Sequence, residues 1–264
     1  MSSPTPGSRP TTTRHKITSS VITSLARWTP YLESEMCGLR SLVPPGSVCI
    51  DVGSAADLYT TVLSRLAGPA GQVHSIEPLP FAHLTWARLI NARQADNVRH
   101  HSLALSTGAG TASMSVPVGR FGLVTGRSYL MRDTGSANAG PDSNDEFAGQ
   151  IPVVVNMERL DDFCAREAIS TVDFVKVDVE GAELQVLEGG ESVIEKHLPT
   201  MLIEIEARHI ARYGHSPEDV SGWLFKRGYT MYTWQRGWRE ADRIVAGTRN
   251  YLFRARPASG PDRG

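Results

Sequence analysis

The sequence lacks the features that would assign it to a disulfide-rich, zinc-binding or membrane-spanning class. Its three cysteines, Cys37, Cys49 and Cys164, are far apart, with no C-x-x-C pair and no spacing typical of zinc ligands. Their odd number and separation predict free thiols in a reducing compartment. No apolar run approaches the roughly 20 residues that span a bilayer, and the N-terminus has no apolar secretory signal. We therefore expect a cytoplasmic protein without a membrane span.

The chain also lacks an excess of charge of either sign. Its formal net charge is −1 at pH 7 and its isoelectric point is about 6.7. Because nucleic-acid-binding surfaces need a basic patch or stripe, this balance argues against a nucleic-acid partner. A length of 264 residues suffices for one large domain with a buried core.

Composition divides the chain into a central domain and less regular ends. Residues 1–16 are rich in Ser, Thr and Pro and predict a disordered tail, as do residues 257–264. Residues 17–44 have helical spacing and predict an N-terminal helical segment, through which a homodimer could form. The domain itself is expected over residues 45–256.

A long segment inside that domain is poor in apolar periodicity. Residues 119–150 are crowded with Gly, Ser, Asn and Asp, and loops of this length are often functional. We expect an acceptor-side lid that closes over bound substrate, with Arg127, Tyr129 and Arg132 as possible substrate contacts.

Strand and helix patterns alternate along the domain, which predicts a mainly parallel sheet with right-handed crossovers. The expected strands are Ser47–Gly53, Gly71–Pro78, Val98–Leu105, Thr111–Val118, Ile151–Val155, Val172–Val179, Pro199–Glu206, Tyr229–Trp234 and Asn250–Phe253. The expected helices are Leu58–Leu66, Phe81–Ala92, Met157–Glu167 with Asn156 as its cap, a helix from Ala182 to Leu187, and Pro217–Arg227.

The stretch TVDFVKVDVEGAELQVLEGG, residues 171–190, is central to the functional interpretation. Its apolar residues do not alternate with polar ones, which is typical of a parallel strand buried on both faces. Charged residues stand at its exit: Lys176, Asp178 and Glu180. Because ligands of open α/β sheets bind outside the carboxyl ends of the strands, these side chains lie where chemistry is expected.

The exits of the first two strands indicate an adenosine-containing cofactor. A glycine turn at Gly53 lets backbone N–H groups approach a ligand, and an acid at Glu77 can accept both hydroxyls of a ribose. The fingerprint G-x-G-x-x-G is absent after Gly53, which disfavours a dinucleotide. A cofactor without phosphates, such as S-adenosylmethionine, fits better. The alternative is that Glu77 only caps the next helix and Gly53 only turns the chain.

Several segments together resemble a known family. DVGSAADLYT, HSIEPLP, HSLALS and FVKVDVEGAELQVLEGG, followed by MLIEIE, resemble the FkbM-type family of S-adenosylmethionine-dependent O-methyltransferases. The resemblance runs from about Val48 to Phe253, and KVDVEGAE is its most specific part. The family pattern has Asn at the position of Ala55 and Gly at that of Asp57, so the Asp57 side chain could crowd the cofactor loop. The resemblance implies the class I methyltransferase fold, an α/β seven-stranded, mostly parallel sheet with helices on both faces and an antiparallel last strand.

The resemblance also implies roles for residues at the cofactor site. Gly53 and Ser54 would lie at the methionine end with Asp51 beneath them, and Glu77 would bind the ribose. The residues expected to flank the adenine are Ser102, Leu103 and Ala104. The full expected cofactor set is Asp51, Gly53, Ser54, Tyr59, Thr60, Glu77, Ser102, Leu103, Ala104 and Asp178.

Transfer of a methyl group to a hydroxyl calls for a base, because hydroxyls are poor nucleophiles until they are deprotonated. A positioned base contributes about 10²- to 10⁴-fold. Asp178 is the first candidate, and the other catalytic candidates are Glu204, His209 and Lys176. The alternative for Asp178 is a carboxylate that only caps the helix after Gly181.

Acids at adjacent strand exits also raise the question of a metal. Asp178, Glu204 and Glu206 could share Mg²⁺, which takes oxygen ligands and would orient two acceptor hydroxyls. Lys176 or Arg208 could instead neutralise the same acids, so the sequence leaves metal use open.

Two groups of residues have a structural and a functional interpretation. His100 and His101 are expected as histidines on a sheet face. Tyr232, Trp234, Arg236 and Trp238 could pack a hairpin or stack on sugar rings.

The sequence therefore predicts an S-adenosylmethionine-dependent O-methyltransferase that acts on a small-molecule or oligosaccharide acceptor, through a hydroxyl of a sugar or a glycosylated compound. The alternatives are a polyketide hydroxyl as acceptor, a binding module that has lost turnover, and, less favoured, a nicotinamide dehydrogenase.

Overall fold

The computed structural model describes residues 34–55, 57–79, 96–119, 122–123, 128–130 and 149–256. The two predicted tails, the Phe81–Ala92 helix, Arg127, Arg132 and most of the 17–44 and 119–150 segments lie outside these residues.

The described chain contains thirteen strands. They are β1 (Val48–Val52), β2 (Gln72–Ile76), β3 (Val98–His101), β4 (Ala104–Leu105), β5 (Gly110–Gly119), β6 (Gly122–Leu123), β7 (Tyr129–Leu130), β8 (Gln150–Glu158), β9 (Phe174–Val177), β10 (Thr200–Glu204), β11 (Tyr229–Trp234), β12 (Trp238–Ala241) and β13 (Asn250–Ala255).

Helices flank these strands. The α-helices are α1 (Leu58–Ala67), α2 (Leu160–Arg166), α3 (Glu183–Gly189), α4 (Glu191–His197), α5 (Ala207–Ile210) and α6 (Pro217–Phe225). Two 3₁₀ helices cover Ser34–Ser41 and Ala211–Tyr213.

Eight strands form the main sheet, in the order β3-β2-β1-β9-β10-β13-β11-β12. The strands from β3 to β10 are parallel, and β13 is antiparallel to both of its neighbours, β10 and β11. This is the class I methyltransferase arrangement with its antiparallel last strand, as the sequence predicted. The eighth strand, β12, is an addition to the expected seven: it pairs antiparallel with β11 at the sheet edge.

The central strands are buried on both faces, which explains their unbroken apolar sequence. On β9, Val175 and Val177 pack into one apolar cluster with α2, α3, α4 and α6. Phe174 faces the other way, into a cluster with α1 and the Ser34–Ser41 helix. Lys176 lies on the same face as Phe174, because side chains alternate along a strand.

The segment after β3 leaves the main sheet, so the predicted Val98–Leu105 strand is in fact two strands. Ala104 and Leu105 form β4 and pair with the end of β8 in a second, five-stranded sheet, β4-β8-β5-β6 with β7 beside β5. The predicted helix from Met157 is wrong at its start for the same reason. Met157 pairs with Gly110 and Ala104, so β8 continues to Glu158 and α2 begins only at Leu160.

Within the described part of the chain, no helix combines the length and the apolar character needed to cross a membrane.

Candidate active site

A cavity of about 220 Å³ opens at the carboxyl ends of β1, β2, β9 and β10, where the polar strand exits meet. Residues after these strands form its floor, and β5, β7 and the β3–β4 segment form one wall. The lining residues are Val52, Gly53, Ala55, Ile76, Glu77, Pro78, Leu103, Ala104, Leu105, Met114, Ser128, Leu130, Asp178, Val179, Glu180, Ala182, Glu204, Arg208, His209 and Arg249.

The loop after β1 passes directly over the end of β9. Gly53 has φ of 78°, and a Cβ there would overlap the carbonyl oxygen of Asp178. Its N–H donates to the carbonyl of Ile76, at 2.9 Å, so the loop is also tied to β2. Position 53 therefore requires glycine for two reasons, the positive φ and the close approach to β9.

Asp51 and Thr60 lie beneath this loop and are fully buried. The Thr60 hydroxyl donates to Oδ2 of Asp51 at 2.6 Å. Burial raises the pKa of Asp51 to about 7, although the hydrogen bond from Thr60 and the charge of Lys176 act in the opposite direction. Tyr59 is also buried, with its ring 5.0 Å from the Lys176 ammonium. These three side chains support the loop from below and are not among the described residues that line the cavity.

The two positions that depart from the family pattern have left-handed backbone angles, and of the two only Ala55 lines the cavity. Ala55 and Asp57 have φ of 40° and 56°. The Asp57 side chain is buried and accepts a hydrogen bond from the Ser75 hydroxyl at 2.9 Å, and the same hydroxyl lies 2.8 Å from that of Ser54. Asp57 is not among the described residues that line the cavity, so its side chain does not crowd the cavity as the sequence had suggested.

Glu77 lies in the cavity at the exit of β2, with its carboxylate fixed by the backbone. The N–H of Ala55 donates to Oε2 at 3.1 Å and that of Leu79 to Oε1 at 2.9 Å. Burial raises the pKa of Glu77 to about 7, against these two hydrogen bonds. Each oxygen keeps a second lone pair, so the carboxylate can still accept two hydroxyl groups.

The three residues predicted to flank the adenine separate in the structure. Leu103 and Ala104 line the cavity, whereas Ser102 is exposed and is not part of the described lining. Leu103 and Ala104 form an apolar wall together with Met114 of β5.

At the other end of the cavity, Asp178 and Glu204 form a hydrogen-bonded carboxyl pair on adjacent strand exits. Burial opposes the ionisation of Asp178, but the Lys176 charge and the hydrogen bond from Glu204 hold its pKa below the usual range. Burial and the negative charge of Asp178 raise the pKa of Glu204 to about 10. At neutral pH the pair therefore carries one proton, on Glu204, and one negative charge, on Asp178.

Lys176 supports this pair from beneath the cavity. Its ammonium lies 3.3 Å from Oδ2 of Asp178 and 3.1 Å from Oδ1 of Asn250. The side chain is fully buried and is not among the described lining residues, so it contacts Asp178 from below the cavity.

His209 adds an imidazole to the rim of the same corner. It lies on α5, and its Nδ1 is 2.8 Å from Oε2 of Glu180. A Cβ on Gly181 would overlap the carbonyl oxygen of His209, so this glycine lets α5 approach the turn after β9. Two arginines complete the rim. Arg249 Nη1 lies 3.5 Å from Glu204 Oε1, and Arg208 pairs with Glu206.

The metal ligands predicted from the sequence are not the group that the structure brings together. Glu206 stands at the N-cap position of α5 without a side-chain capping hydrogen bond, and it is not part of the described cavity lining. Potential ligand atoms of Glu180, Glu204 and His209 instead lie within 4.8 Å of one another. This group suits Mg²⁺ poorly, because one of its three ligand atoms is a nitrogen and Mg²⁺ prefers oxygen ligands.

Only part of this rim could be predicted from the sequence. Glu180 follows Asp178 closely and stood at the expected strand exit, but its pairing with His209 had no sequence signal. Arg249, Ser128 and Leu130 were missed because they come from distant segments. Tyr129, an expected substrate contact, is instead buried under Arg212, whose guanidinium lies 4.4 Å from the ring centroid.

The aromatic group near the C-terminus packs the fold. The rings of Trp234 and Trp238 meet edge to face at 5.1 Å, and both press on Gly38, where a Cβ would clash with them. They thus pack the β11–β12 hairpin against the Ser34–Ser41 helix.

The sequence matches a family model and two relatives. The family model described as the methyltransferase FkbM domain matches residues 49–231. The 31-O-demethyl-FK506 methyltransferase FkbM of Streptomyces tacrolimicus is 28% identical over 244 residues, covering 86% of this chain and 88% of the relative. Methyltransferase sdnD of Sordaria araneosa is 28% identical over 172 residues, which cover 59% of this chain and 63% of sdnD.

A solved structure is similar at lower identity. The crystal structure of methyltransferase FkbM from Methylobacillus flagellatus KT aligns with a TM-score of 0.46 and 13% identity, over 91% of this chain and 59% of the other. The family model covers more than half of the sequence, and its match spans the cavity loops after β1, β2, β9 and β10. The chain therefore belongs to the FkbM methyltransferase family.

Proposed function

We propose that the protein is an S-adenosylmethionine-dependent O-methyltransferase whose acceptor is a hydroxyl of a sugar or of a glycosylated small molecule. The observation that carries the proposal is the arrangement of one cavity, with a fixed carboxylate at Glu77 and a singly protonated carboxyl pair at Asp178 and Glu204. The first suits a ribose and the second suits a hydroxyl that must lose a proton.

The residues present fit the cofactor. Glu77 offers acceptors for two ribose hydroxyls, and Leu103, Ala104 and Met114 offer an apolar wall for a base. Gly53 lines the cavity, and its missing side chain lets the β1 loop lie against the end of β9. When bound, S-adenosylmethionine supplies an electrophilic methyl group.

Asp178 acts as the general base in this proposal. It is ionised at neutral pH, lines the cavity and is 28% exposed, so an acceptor hydroxyl can reach it. An acceptor hydroxyl held here would pass its proton to Asp178 as its oxygen bonds to the methyl carbon, while the methyl–sulfur bond would break and S-adenosylhomocysteine would leave. Glu204 orients the base by donating a hydrogen bond to Asp178, and the charge of Lys176 keeps Asp178 ionised. The role of Glu204 and Lys176 is thus positioning rather than contact with the reacting atoms.

The acceptor side of the cavity supports a hydroxyl-rich substrate. Glu180, His209, Arg208 and Arg249 present several donors and acceptors around the rim, which suits a sugar better than an apolar ring. O-methylation is also the activity contained in the name of the Streptomyces tacrolimicus relative. Asp57 binds Ser75 and does not join the described cavity lining, which favours a loop that holds the cofactor over a module that has lost turnover.

Mass spectrometry of labelled-methyl transfer tests the proposal across sugars, oligosaccharides, glycosylated polyketides and aglycone polyketides. We expect transfer to a glycosylated acceptor and a loss of about 10²- to 10⁴-fold in kcat/KM for Asp178→Asn, with binding of S-adenosylhomocysteine retained. Transfer only to aglycones would show that the acceptor is a polyketide hydroxyl and not a sugar or a glycosylated compound. Tight binding of NAD(H) without binding of S-adenosylhomocysteine would overturn the enzyme assignment.

A parallel assay addresses the metal. Because the ligand set does not fit Mg²⁺, dialysis against a chelator is expected to leave turnover unchanged. Turnover that falls and returns with added Mg²⁺ would contradict this expectation.

A further inference from the structure

Two histidines and a glutamate converge outside the cavity, between the edge of the main sheet and the end of α2. His74 on β2 is fully buried, and its ring stacks on that of His101 on β3, with centroids 5.2 Å apart. Phe163 of α2 meets both rings edge-on, at 5.7 and 4.8 Å. Glu167, at the end of α2, completes the group. None of these four residues is among the described lining of the cavity.

The geometry of the three polar side chains matches a chelating site. His74 Nδ1 lies 3.1 Å from His101 Nε2. One potential ligand atom from each of His74, His101 and Glu167 lies within 4.8 Å of the other two. Two nitrogens bound to one tetrahedral Zn²⁺ at about 2.0–2.1 Å are themselves roughly 3.4 Å apart. A small shift of either ring would thus exchange the present His–His contact for a shared cation.

The carboxylate can join the site without disrupting its surroundings. Glu167 forms an ion pair with Arg166, but Arg166 also binds both carboxylate oxygens of Glu158, at 3.1 and 2.9 Å. If Glu167 turns toward a cation, Arg166 therefore keeps a bidentate partner. The side chains of His101 and Glu167 are 11% and 17% exposed, which provides a route from solvent.

We propose that His74, His101 and Glu167 form a second, separate binding site for one zinc-class divalent cation, with water as the remaining ligand. Two imidazoles and one carboxylate are a recognised Zn²⁺ ligand set, whereas Mg²⁺ and Ca²⁺ prefer oxygen ligands. The bound cation ties β2 and β3 to the end of α2. It also steadies the segment after His101, which supplies Leu103 and Ala104 to the cavity wall.

Zinc titration by calorimetry, with the metal content of dialysed protein measured by mass spectrometry, tests this site. The variants are His101→Ala and Glu167→Gln, with His209→Ala to report on the rim of the cavity and His215→Ala as a histidine control. We expect one tight Zn²⁺ per chain that His209→Ala and His215→Ala retain. His101→Ala should lose it, and Glu167→Gln should bind it about tenfold or more weakly. Added Zn²⁺ should raise the Tm of the wild type and not that of His101→Ala.

Three outcomes would overturn the proposal: no tight Zn²⁺ on the wild type, equal Zn²⁺ on the wild type and His101→Ala, or a loss confined to His209→Ala. Circular dichroism checks that His101→Ala is folded. If it is not, Glu167→Gln decides, since that change keeps size and shape at a partly exposed position, and unchanged affinity there would reject the site.

Discussion

The Lys176 ammonium contacts Asp178 at 3.3 Å from a fully buried position that is not among the described residues lining the cavity. It is also 3.1 Å from Asn250 on the neighbouring part of the sheet and 5.0 Å from the ring of Tyr59. A positive charge held in this way fixes the ionisation of Asp178 without taking part in binding. The protonation state of the carboxyl pair is thus set by the core of the sheet.

Lys176→Met tests that relationship. Without the ammonium, burial dominates and the pKa of Asp178 rises, so the acid limb of the kcat/KM profile should move to higher pH. The free energy of unfolding should fall by about 1–3 kcal/mol, because a buried charge loses its partner. Lys226→Met, at an exposed position after α6, is the control. An acid limb that stays in place would contradict the assigned role.

Glu204→Gln separates the proton donor of the pair from its charge. The amide still donates to Asp178 but cannot lose a proton, so kcat/KM near neutral pH should stay within about tenfold of the wild type. The wild type should lose activity as Glu204 ionises near pH 10, and the variant should lack that alkaline limb. pH profiles of both proteins measure this. If Glu204 were itself the base, the variant would be as inactive as Asp178→Asn.

Glu77→Gln probes the ribose end. The amide group offers one oxygen where the carboxylate offers two and carries no charge, so the Kd of S-adenosylhomocysteine should rise by about 10- to 100-fold. A deoxyribose analogue of the same ligand localises the effect. It should bind the wild type more weakly than S-adenosylhomocysteine does, and the variant should discriminate less between the two. Equal discrimination by both proteins would place the ribose away from Glu77.

The close approach of the first loop to β9 can be tested with two glycines. Gly53 and Gly46 both have positive φ, 78° and 91°, but a Cβ at Gly53 would meet Asp178 whereas nothing lies near one at Gly46. Gly46→Ala should cost about 1–2 kcal/mol of unfolding free energy from backbone strain alone. Gly53→Ala should cost more, and it should also weaken binding of S-adenosylhomocysteine. Equal costs in chemical denaturation would mean that the overlap is relieved by a small movement of the loop.

Glu183 makes stability depend on pH. It is buried, accepts hydrogen bonds from the backbone of Gly181 and Val179, and has its pKa raised by burial from 4.5 to about 7. Since the folded pKa lies above the unfolded one, its favourable contribution is complete below pH 4.5 and is lost as the pH rises through 7. Glu183→Gln should reduce the fall in unfolding free energy over this window by on the order of 2–3 kcal/mol. Glu188→Gln, at an exposed position of α3, controls for the amide substitution. An equal fall in the wild type and Glu183→Gln would reject this role.

The fold could be predicted from the sequence because its main signals are local. Buried parallel strands have unbroken apolar runs, and their carboxyl ends meet at one sheet edge, so Gly53, Glu77 and Asp178 could be assigned to one cavity without coordinates. Errors arose where a strand changes sheets. The break after His101 and the extension of β8 through Met157 depend on pairing between distant segments, which no periodicity within either segment reports.

The candidate site could be predicted from the sequence less completely than the fold. The preference of Glu180 for His209 depends on how closely α5 approaches Gly181, a contact across separate elements. Burial could not be predicted either. Lys176 and Asp178 are both charged residues near the end of the same strand, yet Lys176 is buried in the core and Asp178 faces the cavity. The stacked pair of His74 and His101 had no signal either, since the two residues are brought together only by the pairing of β2 with β3.

The position of β13 has a consequence for the order in which the enzyme matures. This strand comes last in sequence among the described strands, yet it lies between β10 and β11, and its first residue, Asn250, binds Lys176. A nascent chain on the ribosome therefore exposes the edge of β10 and leaves Lys176 short of one partner until residues 250–255 have emerged. Competence for catalysis should thus arrive in a single late step, and shortened chains that end before residue 250 should be inactive even when their cofactor loops are complete.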